Sequence, residues 1–317
     1  MLALRATAGV PQLALVEAGD PDPLPNEVLV RVSAFSLNRG EVLELADAAE
    51  GAPVGWDFAG VVVRAAEDGS GPPVGTRAFG LVRRGGWAEF VAAPASQLAG
   101  VPDSVSDAKA STLPTAGLTA LRTLELAGSV LARRVLITGA TGGVGQYAVQ
   151  LATLAGAKVT ALVRDVERSG DLLRRRGAVD VVSEVRGCFD FAVDAVGGVT
   201  FAAAIEHIAP RGLVVNIATG SADEVVAFRA SRFDRAAGAR IYTFNLLDEL
   251  PEPATAVDLG RLVKLLEQRK LVAPVGLEAP WQEIERAIEA LIARRISGKV
   301  VLHVRGGAAT RTLAGPG

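Results

Sequence analysis

The stretch that decides the fold is Gly139-Ala-Thr-Gly-Gly-Val-Gly145, which follows the apolar run Arg134-Val-Leu-Ile-Thr138. Read as G-x-G-x-x-G, it has alanine in the first position and Gly142 and Gly145 in the other two. Gly142 lets the backbone approach a pyrophosphate, Gly145 lets the following helix pack closely on the strand, and the amides at the helix start attract phosphate. A tight structural turn is the alternative. The loop predicts a dinucleotide site formed by Thr141, Gly142, Gly143, Val144 and Gly145.

Strands and helices alternate along the chain after this loop. A helix is predicted at residues 144–154, a buried strand at 157–163 and a polar helix near 167–176. Further strands are predicted at residues 179–182, 189–194, 212–218 and 240–244. Strands that alternate with helices at this interval form a parallel, doubly wound sheet, so we expect an α/β Rossmann-type domain here.

The first 110 or so residues have a different pattern. Short apolar runs near residues 27–33, 60–64 and 88–92 are separated by glycine and proline clusters, which predicts a small barrel-like β domain. After residue 251 the sequence predicts two amphipathic helices and a last strand at 299–304. The tail from Gly306 shows no pattern and is expected to be mobile.

Composition narrows the function classes. The chain has 317 residues, enough for about two domains, with a net charge of -2, which argues against nucleic-acid and membrane partners. Its single cysteine, Cys188, excludes a disulfide framework. The uncharged stretch 135–157 is long enough to span a membrane, but its five glycines favour a soluble structure. No targeting segment is visible, and the scarcity of lysine hints at a GC-rich bacterial genome, so we expect a cytoplasmic protein.

The end of the second Rossmann strand predicts which cofactor is bound. An NAD-selective site needs an acidic residue there, whereas this chain has Arg164, with Arg168 one helical turn later. A guanidinium binds a 2′-phosphate through paired hydrogen bonds, so these residues favour NADPH. Asp165 is the acid if the register shifts, and solvated surface arginines are a second alternative.

Several segments, taken in order, resemble the medium-chain dehydrogenase/reductase superfamily, in its zinc-free NADPH:quinone oxidoreductase-like branch. The segments are Pro25-Asn-Glu-Val-Leu-Val-Arg-Val32, Ser36-Leu-Asn-Arg-Gly-Glu41, Gly55-Trp-Asp-Phe-Ala-Gly60, Gly85-Gly-Trp-Ala-Glu-Phe90, Leu113-Pro-Thr-Ala-Gly-Leu-Thr-Ala120, the glycine loop and Ser297-Gly-Lys-Val-Val-Leu302. The resemblance implies a GroES-like β-barrel substrate domain at 1–118 and 252–317 and a Rossmann domain at 119–251. It also implies an active site between the domains, and we expect a homodimer.

The resemblance also indicates whether a catalytic zinc ion can be bound. Zinc-dependent relatives have cysteine or histidine at the positions that resemble Asn38, Trp56 and Thr115, and none of these three residues supplies a soft or imidazole ligand. We therefore expect no metal. Without a Lewis acid a simple ketone is hard to polarise, and zinc-free members reduce conjugated double bonds in quinones, enones and enoyl thioesters.

The remaining chemistry is hydride transfer, in which the protein stabilises the developing negative oxygen with hydrogen-bond donors. Asn38 is the first candidate for such a donor, and Thr119 and Arg39 are the next candidates. Asn38 also fits a loop-capping role. The resemblance implies that the nicotinamide lies beside Val196, Thr219, Gly220, Phe244 and Asn245. No general acid is evident: of the two tyrosines, Tyr147 is expected to pack on the first Rossmann helix and Tyr242 lies on the last predicted Rossmann strand. Solvated or structural roles are favoured for Glu41 and Asp57. His207 and His303 are interpreted as structural, and Cys188 is interpreted as a small core residue.

The leading hypothesis is a zinc-independent, NADPH-dependent reductase of a small apolar quinone or α,β-unsaturated carbonyl. One alternative is a biosynthetic tailoring enzyme, an enoyl reductase or reductive cyclase acting on a polyketide-like substrate. Another is an NADPH-binding protein with low turnover, because binding alone does not establish catalysis.

Overall fold

The structure is a computed structural model, and it describes residues 1–8, 12–218, 224–250 and 254–304. The chain folds into two compact units. The first unit joins Met1–Leu118 to the C-terminal segment that begins at Leu250, and the second unit is Thr119–Glu249. The second boundary lies two residues before the position that the sequence predicts. Thr219, Gly220 and the tail from residue 305 lie outside the described residues.

The N-terminal part of the first unit is mainly strand. Its elements are β1 (Leu2–Ala6), β2 (Leu13–Glu17), β3 (Glu27–Leu37), α1 (Arg39–Leu43), β4 (Asp57–Arg64), β5 (Arg77–Leu81), β6 (Phe90–Pro94), β7 (Leu98–Gly100), α2 (Asp107–Ala110) and α3 (Pro114–Leu126), whose last residues enter the second unit.

The second unit is an α/β sandwich with one six-stranded parallel sheet. Its elements are β8 (Arg134–Ile137), α4 (Gly143–Leu154), β9 (Lys158–Leu162), α5 (Val166–Arg175), β10 (Asp180–Val182), β11 (Phe189–Asp194), α6 (Gly198–Glu206), β12 (Ile208–Asn216), α7 (Ala230–Phe233) and β13 (Arg240–Thr243). The strand order β10-β9-β8-β11-β12-β13 is that of a dinucleotide-binding Rossmann sheet, which confirms the predicted fold class. Residues 135–157 form β8, the glycine loop and α4.

The chain then returns to the first unit with α8 (Ala254–Glu267), β14 (Val275–Pro280), α9 (Ile284–Ile292) and β15 (Lys299–His303). These strands complete a seven-stranded sheet in the order β14-β15-β3-β4-β5-β7, with β6 also paired to β3. In this sheet Val300 of β15 lies opposite Leu37 of β3. The antiparallel register therefore brings the start of β15 beside the end of β3, where the Asn38 motif begins.

Each unit has its own apolar core. In the first unit Phe35, Trp87 and Trp281 are buried together; the Phe35 and Trp87 rings stack at 5.7 Å, and Trp281 meets Phe35 edge-on at 6.4 Å. The alternation of buried and accessible residues along β3 ends at Ala34, and residues 34–37 are all buried. Among the described residues, no helix has the length and apolar character that crossing a bilayer requires.

Candidate active site

The glycine loop has the geometry of a phosphate cradle. Gly139 turns the chain after β8 with a φ of +58°, and Gly142 is the N-cap of α4 with no side-chain capping bond. A Cβ at Gly145 would lie 2.4 Å from the carbonyl oxygen of Gly139, so only glycine lets α4 approach the loop this closely. Because no side chain caps α4, its first-turn amides remain for an anion. These residues fit the pyrophosphate of a dinucleotide.

Hydrogen bonds to a buried carboxyl group, Asp194, fix the turn that carries Val196. Asp194, at the end of β11, accepts hydrogen bonds from Thr138 Oγ1 and from Gly197 N, the latter at 2.8 Å. Burial raises the pKa of Asp194, and these hydrogen bonds oppose the shift. Val196 Cγ2 would lie 3.2 Å from a Cβ at Gly139, so the Val196 turn lies beside the glycine loop. The sequence prediction that Val196 belongs to the cofactor site is compatible with this location.

The two arginines that favour NADPH are both exposed just after β9. Arg164 makes no ion pair with any residue in the described part of the chain. The alternative acid, Asp165, is the N-cap of α5, and its Oδ1 accepts the backbone N–H of Arg168 at 2.9 Å. The carboxylate that competes with the 2′-phosphate assignment therefore has a local structural function.

The other residues expected near the nicotinamide follow the ends of β12 and β13. Phe244 is buried and continues the pairing, since its N–H donates to the Asn216 carbonyl at 2.9 Å. Asn245 is exposed, and its Oδ1 accepts the Leu247 N–H at 3.1 Å. The roles of both residues stay predictions, and those of Thr219 and Gly220 concern residues that the structure does not describe.

In the first unit, four side chains form a buried polar cluster, called here the Asn38 cluster: Asn38, Glu41, Asp57 and Lys299. Their exposed fractions are 9%, 4%, 0% and 3%. Asn38 is the N-cap residue of α1 and forms a capping box with Glu41, whose Oε1 accepts the Asn38 backbone N–H, as the loop-capping alternative supposed. Its amide nitrogen donates to Glu41 Oε1 at 3.1 Å and to Asp57 Oδ2 at 2.9 Å. Its amide oxygen accepts from the Lys299 ammonium.

Asp57 is the centre of this cluster. Its Oδ2 accepts from Ser36 Oγ at 2.8 Å and from Lys299 Nζ at 3.3 Å, in addition to Asn38. Its Oδ1 accepts from both the backbone N–H and the hydroxyl of Thr115. Asp57 is fully buried, and both of its oxygens have hydrogen-bond donors. The solvated alternative for Asp57 is therefore wrong.

The pKa of Glu41 is displaced far from its ordinary value. Burial, followed by the charge of Asp57, raises the pKa of Glu41 to about 8. The Lys299 charge and the backbone N–H groups of Asn38 and Trp56 oppose that shift. At neutral pH the Glu41 carboxyl is therefore largely protonated, so it adds little negative charge beside Asp57 and Lys299.

Lys299 is the residue of the Asn38 cluster that sequence reasoning missed. It lies 261 positions from Asn38 along the chain and reaches it only through the pairing of β15 with β3. One signal was present in the sequence: a lysine directly precedes the apolar run Val300-Val-Leu302 in a chain with few lysines. Buried lysines are rare unless they are paired.

Thr119 and Arg39 differ from Asn38 in their surroundings. Thr119 is 7% exposed, and its hydroxyl makes no hydrogen bond with a described residue. It lies one turn after Thr115 on α3, so both threonines share one face of the helix. Arg39 is exposed, and its guanidinium donates to the Ile292 carbonyl at 3.4 Å.

The other singled-out residues have local partners. His207 Nδ1 is 2.8 Å from the Ala203 carbonyl, and His303 Nε2 is 2.9 Å from Glu278 Oε2. Tyr147 is buried on α4, as predicted, and the exposed Tyr242 donates to Glu249 at 2.7 Å. Cys188 is half-buried and directly precedes β11, so it is not the buried core residue that the sequence predicts.

Family models and known relatives agree with this architecture. Residues 24–103 match the alcohol dehydrogenase GroES-like domain, and residues 171–302 match a domain described as zinc-binding dehydrogenase. The chain is 30% identical to the chloroplast envelope quinone oxidoreductase homolog of Arabidopsis thaliana over 93% of its own length and 95% of that protein. The structure of mycobacterial Rv1454c complexed with NADPH is 25% identical, with a TM-score of 0.83, and the match covers 96% of this chain and 100% of that one.

A second group of relatives consists of much longer proteins. The chain is 30% identical over 89% of its length to the mycocerosic acid synthase-like polyketide synthase of Mycobacterium tuberculosis, but it spans only 14% of that protein. Together these likenesses define an oxidoreductase with a GroES-like domain and an NAD(P)H-binding Rossmann domain. The chain belongs to the medium-chain dehydrogenase/reductase superfamily, in its quinone oxidoreductase-like branch.

The residues at the expected metal positions do not fit a zinc ion. The Asn38 amide is hydrogen-bonded to two carboxyl groups and to the Lys299 ammonium, and the Thr115 hydroxyl donates to Asp57. The side chain of Trp56 is an indole, which is not a zinc ligand. Tetrahedral zinc sites need cysteine, histidine or carboxylate ligands that are free to coordinate. The ammonium of Lys299 would also repel a divalent ion at this place. Metal-independent activity stays a prediction.

Proposed function

We propose that the protein is a zinc-independent, NADPH-dependent reductase of small apolar quinones or α,β-unsaturated carbonyls. The observation that carries the proposal is the Asn38 cluster: Asn38, at a position that resembles a zinc ligand of metal-dependent relatives, is hydrogen-bonded to Glu41, Asp57 and Lys299. Such a site has no Lewis acid to polarise a saturated ketone. A conjugated acceptor needs less help, because its negative charge spreads from carbon to oxygen as the hydride arrives.

The chain's own residues support NADPH as the reductant. NADPH, when bound, supplies the hydride. The amides at the start of α4 and the small residues of the glycine loop would hold its pyrophosphate, and Arg164 and Arg168 would bind its 2′-phosphate. Asp165 does not oppose that charge freely, since its carboxylate caps α5. The NADPH complex of the mycobacterial relative supports the same assignment.

The substrate oxygen is proposed to lie near Asn38 and Thr119. Thr119 has a hydroxyl with no described partner, so it can donate without breaking a bond. Asn38 has both amide hydrogens engaged and would have to release one of them. Val196, Thr219, Gly220, Phe244 and Asn245 are proposed to flank the nicotinamide, and the source of the proton that completes the reduction stays open.

A biosynthetic role is the second candidate. The mycobacterial polyketide synthase relative favours an enoyl reductase or reductive cyclase acting on a polyketide-like substrate. Both candidates use the same hydride chemistry, and they differ in the acceptor. A low-turnover NADPH-binding protein is the third. The cytoplasmic location and the homodimer expected from the sequence also stay proposals.

The test is an acceptor panel with purified protein. NADPH oxidation is followed at saturating NADPH with quinones, short enones, enoyl thioesters, and saturated ketones and aldehydes of matched size. We expect turnover with one or more conjugated acceptors and negligible turnover with their saturated counterparts. Turnover with enoyl thioesters alone would favour the biosynthetic candidate. Equal rates with saturated ketones would refute the proposal, and tight NADPH binding without turnover on any acceptor would support the low-turnover candidate.

A further inference from the structure

Lys299 is the charged group of the Asn38 cluster to which the sequence assigns no role. Its ammonium donates to Asn38 Oδ1 and to Asp57 Oδ2, and only 3% of the residue is exposed. A buried ammonium is stable only when charges and acceptors compensate it, so this placement is specific. The antiparallel pairing of β15 with β3 makes the placement a property of the fold.

The chemistry of the four side chains fixes the orientation of the Asn38 amide. Lysine can only donate hydrogen bonds, so the amide oxygen must face Lys299. Asp57 accepts, so the amide nitrogen must face the carboxyl groups. The reverse orientation would place two donors against each other and an amide oxygen against a carboxylate. Lys299 and Asp57 together therefore hold the amide in one of its two orientations.

The charge balance depends equally on Lys299. The titratable groups that face Glu41 are Asp57 of β4 and Lys299 of β15. Arg39, in the same helix as Glu41, is directed to the Ile292 carbonyl and lies near Arg294, outside the cluster. If Lys299 lost its charge, Asp57 would be left as an uncompensated buried anion. A net negative charge at this place would oppose negative charge on a nearby acceptor oxygen.

We propose that Lys299 is a positioning residue for the reduction: its ammonium fixes the Asn38 amide and keeps the surroundings of that amide from carrying a net negative charge. This inference rests on the proposed function. It does not require Lys299 to touch the substrate, because its effect reaches the substrate oxygen through Asn38 and through the charge of the cluster.

The test compares three variants of the full chain with the wild type. Lys299→Met removes the charge and the donor, Lys299→Arg keeps both, and Lys264→Met removes the exposed lysine of α8 as a matched control. On a responsive acceptor, Lys299→Met should lower kcat by about 10–100-fold, as is common for groups that orient a reacting side chain. NADPH affinity should change less than about twofold. Lys299→Arg should recover most of kcat, and Lys264→Met should match the wild type.

The pH profile of kcat separates positioning from packing. Deprotonation of Glu41 should make the cluster negative and lower kcat on the alkaline side. Because the Lys299 charge lowers the pKa of Glu41, its removal should move this alkaline limb to higher pH. Lys299→Gln, which keeps a donor without the charge, should show the same displacement and serves if Lys299→Met does not fold. The proposal would be overturned if folded Lys299→Met or Lys299→Gln kept the wild-type kcat and the wild-type position of the alkaline limb. It would also be overturned if Lys299→Arg lost as much kcat as Lys299→Met.

A spectroscopic readout keeps this inference separate from the proposed function. The Glu41 carboxyl is titrated by carbon NMR in labelled protein and is assigned by its loss in Glu41→Gln. If the wild type reduces no conjugated acceptor, the proposed function fails while the charge role of Lys299 is still measured. Titration at higher pH in Lys299→Met supports that role, and an unchanged titration overturns it whatever the activity.

Discussion

Replacing Glu41 by glutamine should flatten the pH dependence of stability in the first unit. The pKa of Glu41 is raised from 4.5 to about 8, mainly because burial disfavours its charged form. Between these values the folded chain holds a proton that the unfolded chain has released. The stabilising contribution of this proton is therefore complete below pH 4.5 and is lost as the pH rises towards and through 8.

The size of the effect follows from these two pKa values. Each tenfold difference in proton affinity between the folded and unfolded chain corresponds to about 1.4 kcal/mol, and integration from pH 5 to pH 8 gives a loss of about 3–4 kcal/mol in the free energy of unfolding. Glutamine is a close mimic of the protonated side chain and cannot ionise. Its single carbonyl oxygen can accept either the Trp56 N–H, which Glu41 accepts at 2.8 Å, or the Asn38 donors, so the comparison uses the slope of stability against pH and not the absolute stability. The stability of Glu41→Gln relative to the wild type should therefore rise by about this amount from pH 5 to pH 8.

Tryptophan fluorescence isolates the relevant unit. All three tryptophans, Trp56, Trp87 and Trp281, belong to the first unit, so their emission during urea unfolding reports that unit alone. Asp194, the other buried carboxyl with a raised pKa, lies in the second unit. Glu267→Gln, at the exposed end of α8, is the matched control and should keep the wild-type pH dependence. Parallel curves for Glu41→Gln and the wild type between pH 5 and pH 8 would refute the reasoning.

Three further predictions concern cofactor, metal and assembly. The double variant Arg164→Ala with Arg168→Ala should weaken NADPH binding by about 2–4 kcal/mol in isothermal titration and leave NADH binding nearly unchanged. The control Arg174→Ala, on the same helix as Arg168, should leave the binding of both cofactors nearly unchanged. Equal losses for both cofactors in the double variant would contradict the 2′-phosphate assignment. Purified protein should contain well under one equivalent of zinc and keep its activity after chelation, whereas a stoichiometric metal signal in mass spectrometry would contradict metal independence. Light scattering after size exclusion should give the mass of two chains. The reason is that β13, a strand paired only to β12 among the described residues, carries Ile241, which is 42% exposed. A single-chain mass at micromolar concentration would exclude a stable homodimer.

The Rossmann sheet was predictable because its signals are local. The glycine loop, the alternation of strands and helices and the apolar runs each lie within a few residues, and they place β8, α4, β9 and β11 to within one or two residues of the structure. The start of β12 at Ile208 was less predictable. Its first half contains Pro210 and Arg211, which read as a turn, and Arg211 indeed has a φ of +61°.

The Asn38 cluster was predictable only in part, because its contacts join distant positions. The motif around Asn38 marked the site, and a small β domain was expected around it. The proximity of Lys299 depends on the pairing of β15 with β3, which no local pattern specifies. The commitment of both Asn38 amide hydrogens also follows from tertiary contacts with Glu41 and Asp57. The sequence therefore indicated a hydrogen-bond donor at Asn38, but it did not indicate that Glu41 and Asp57 accept both hydrogens of this amide.

The last prediction separates the two candidate donors to the substrate oxygen. Asn38→Ala removes a side chain with three buried hydrogen bonds, so it should lower stability by at least about 1–3 kcal/mol and lower kcat by about 10²–10³-fold. Thr119→Val removes only a hydroxyl that has no described partner. It should leave the unfolding midpoint nearly unchanged and lower kcat by on the order of 10²-fold if Thr119 contacts the substrate oxygen.

The pair of variants is measured on the same responsive enone or quinone, with NADPH affinity as the control for cofactor binding. Loss of kcat in Thr119→Val without loss of stability would identify a catalytic residue, because no described contact in the folded chain depends on that hydroxyl. Wild-type kcat in Thr119→Val would exclude the contact. Wild-type kcat in Asn38→Ala, with substrate reduction rate-limiting, would make Asn38 purely structural. It would also refute the orientation part of the inference for Lys299 and leave only the charge of the cluster as its route to the substrate oxygen.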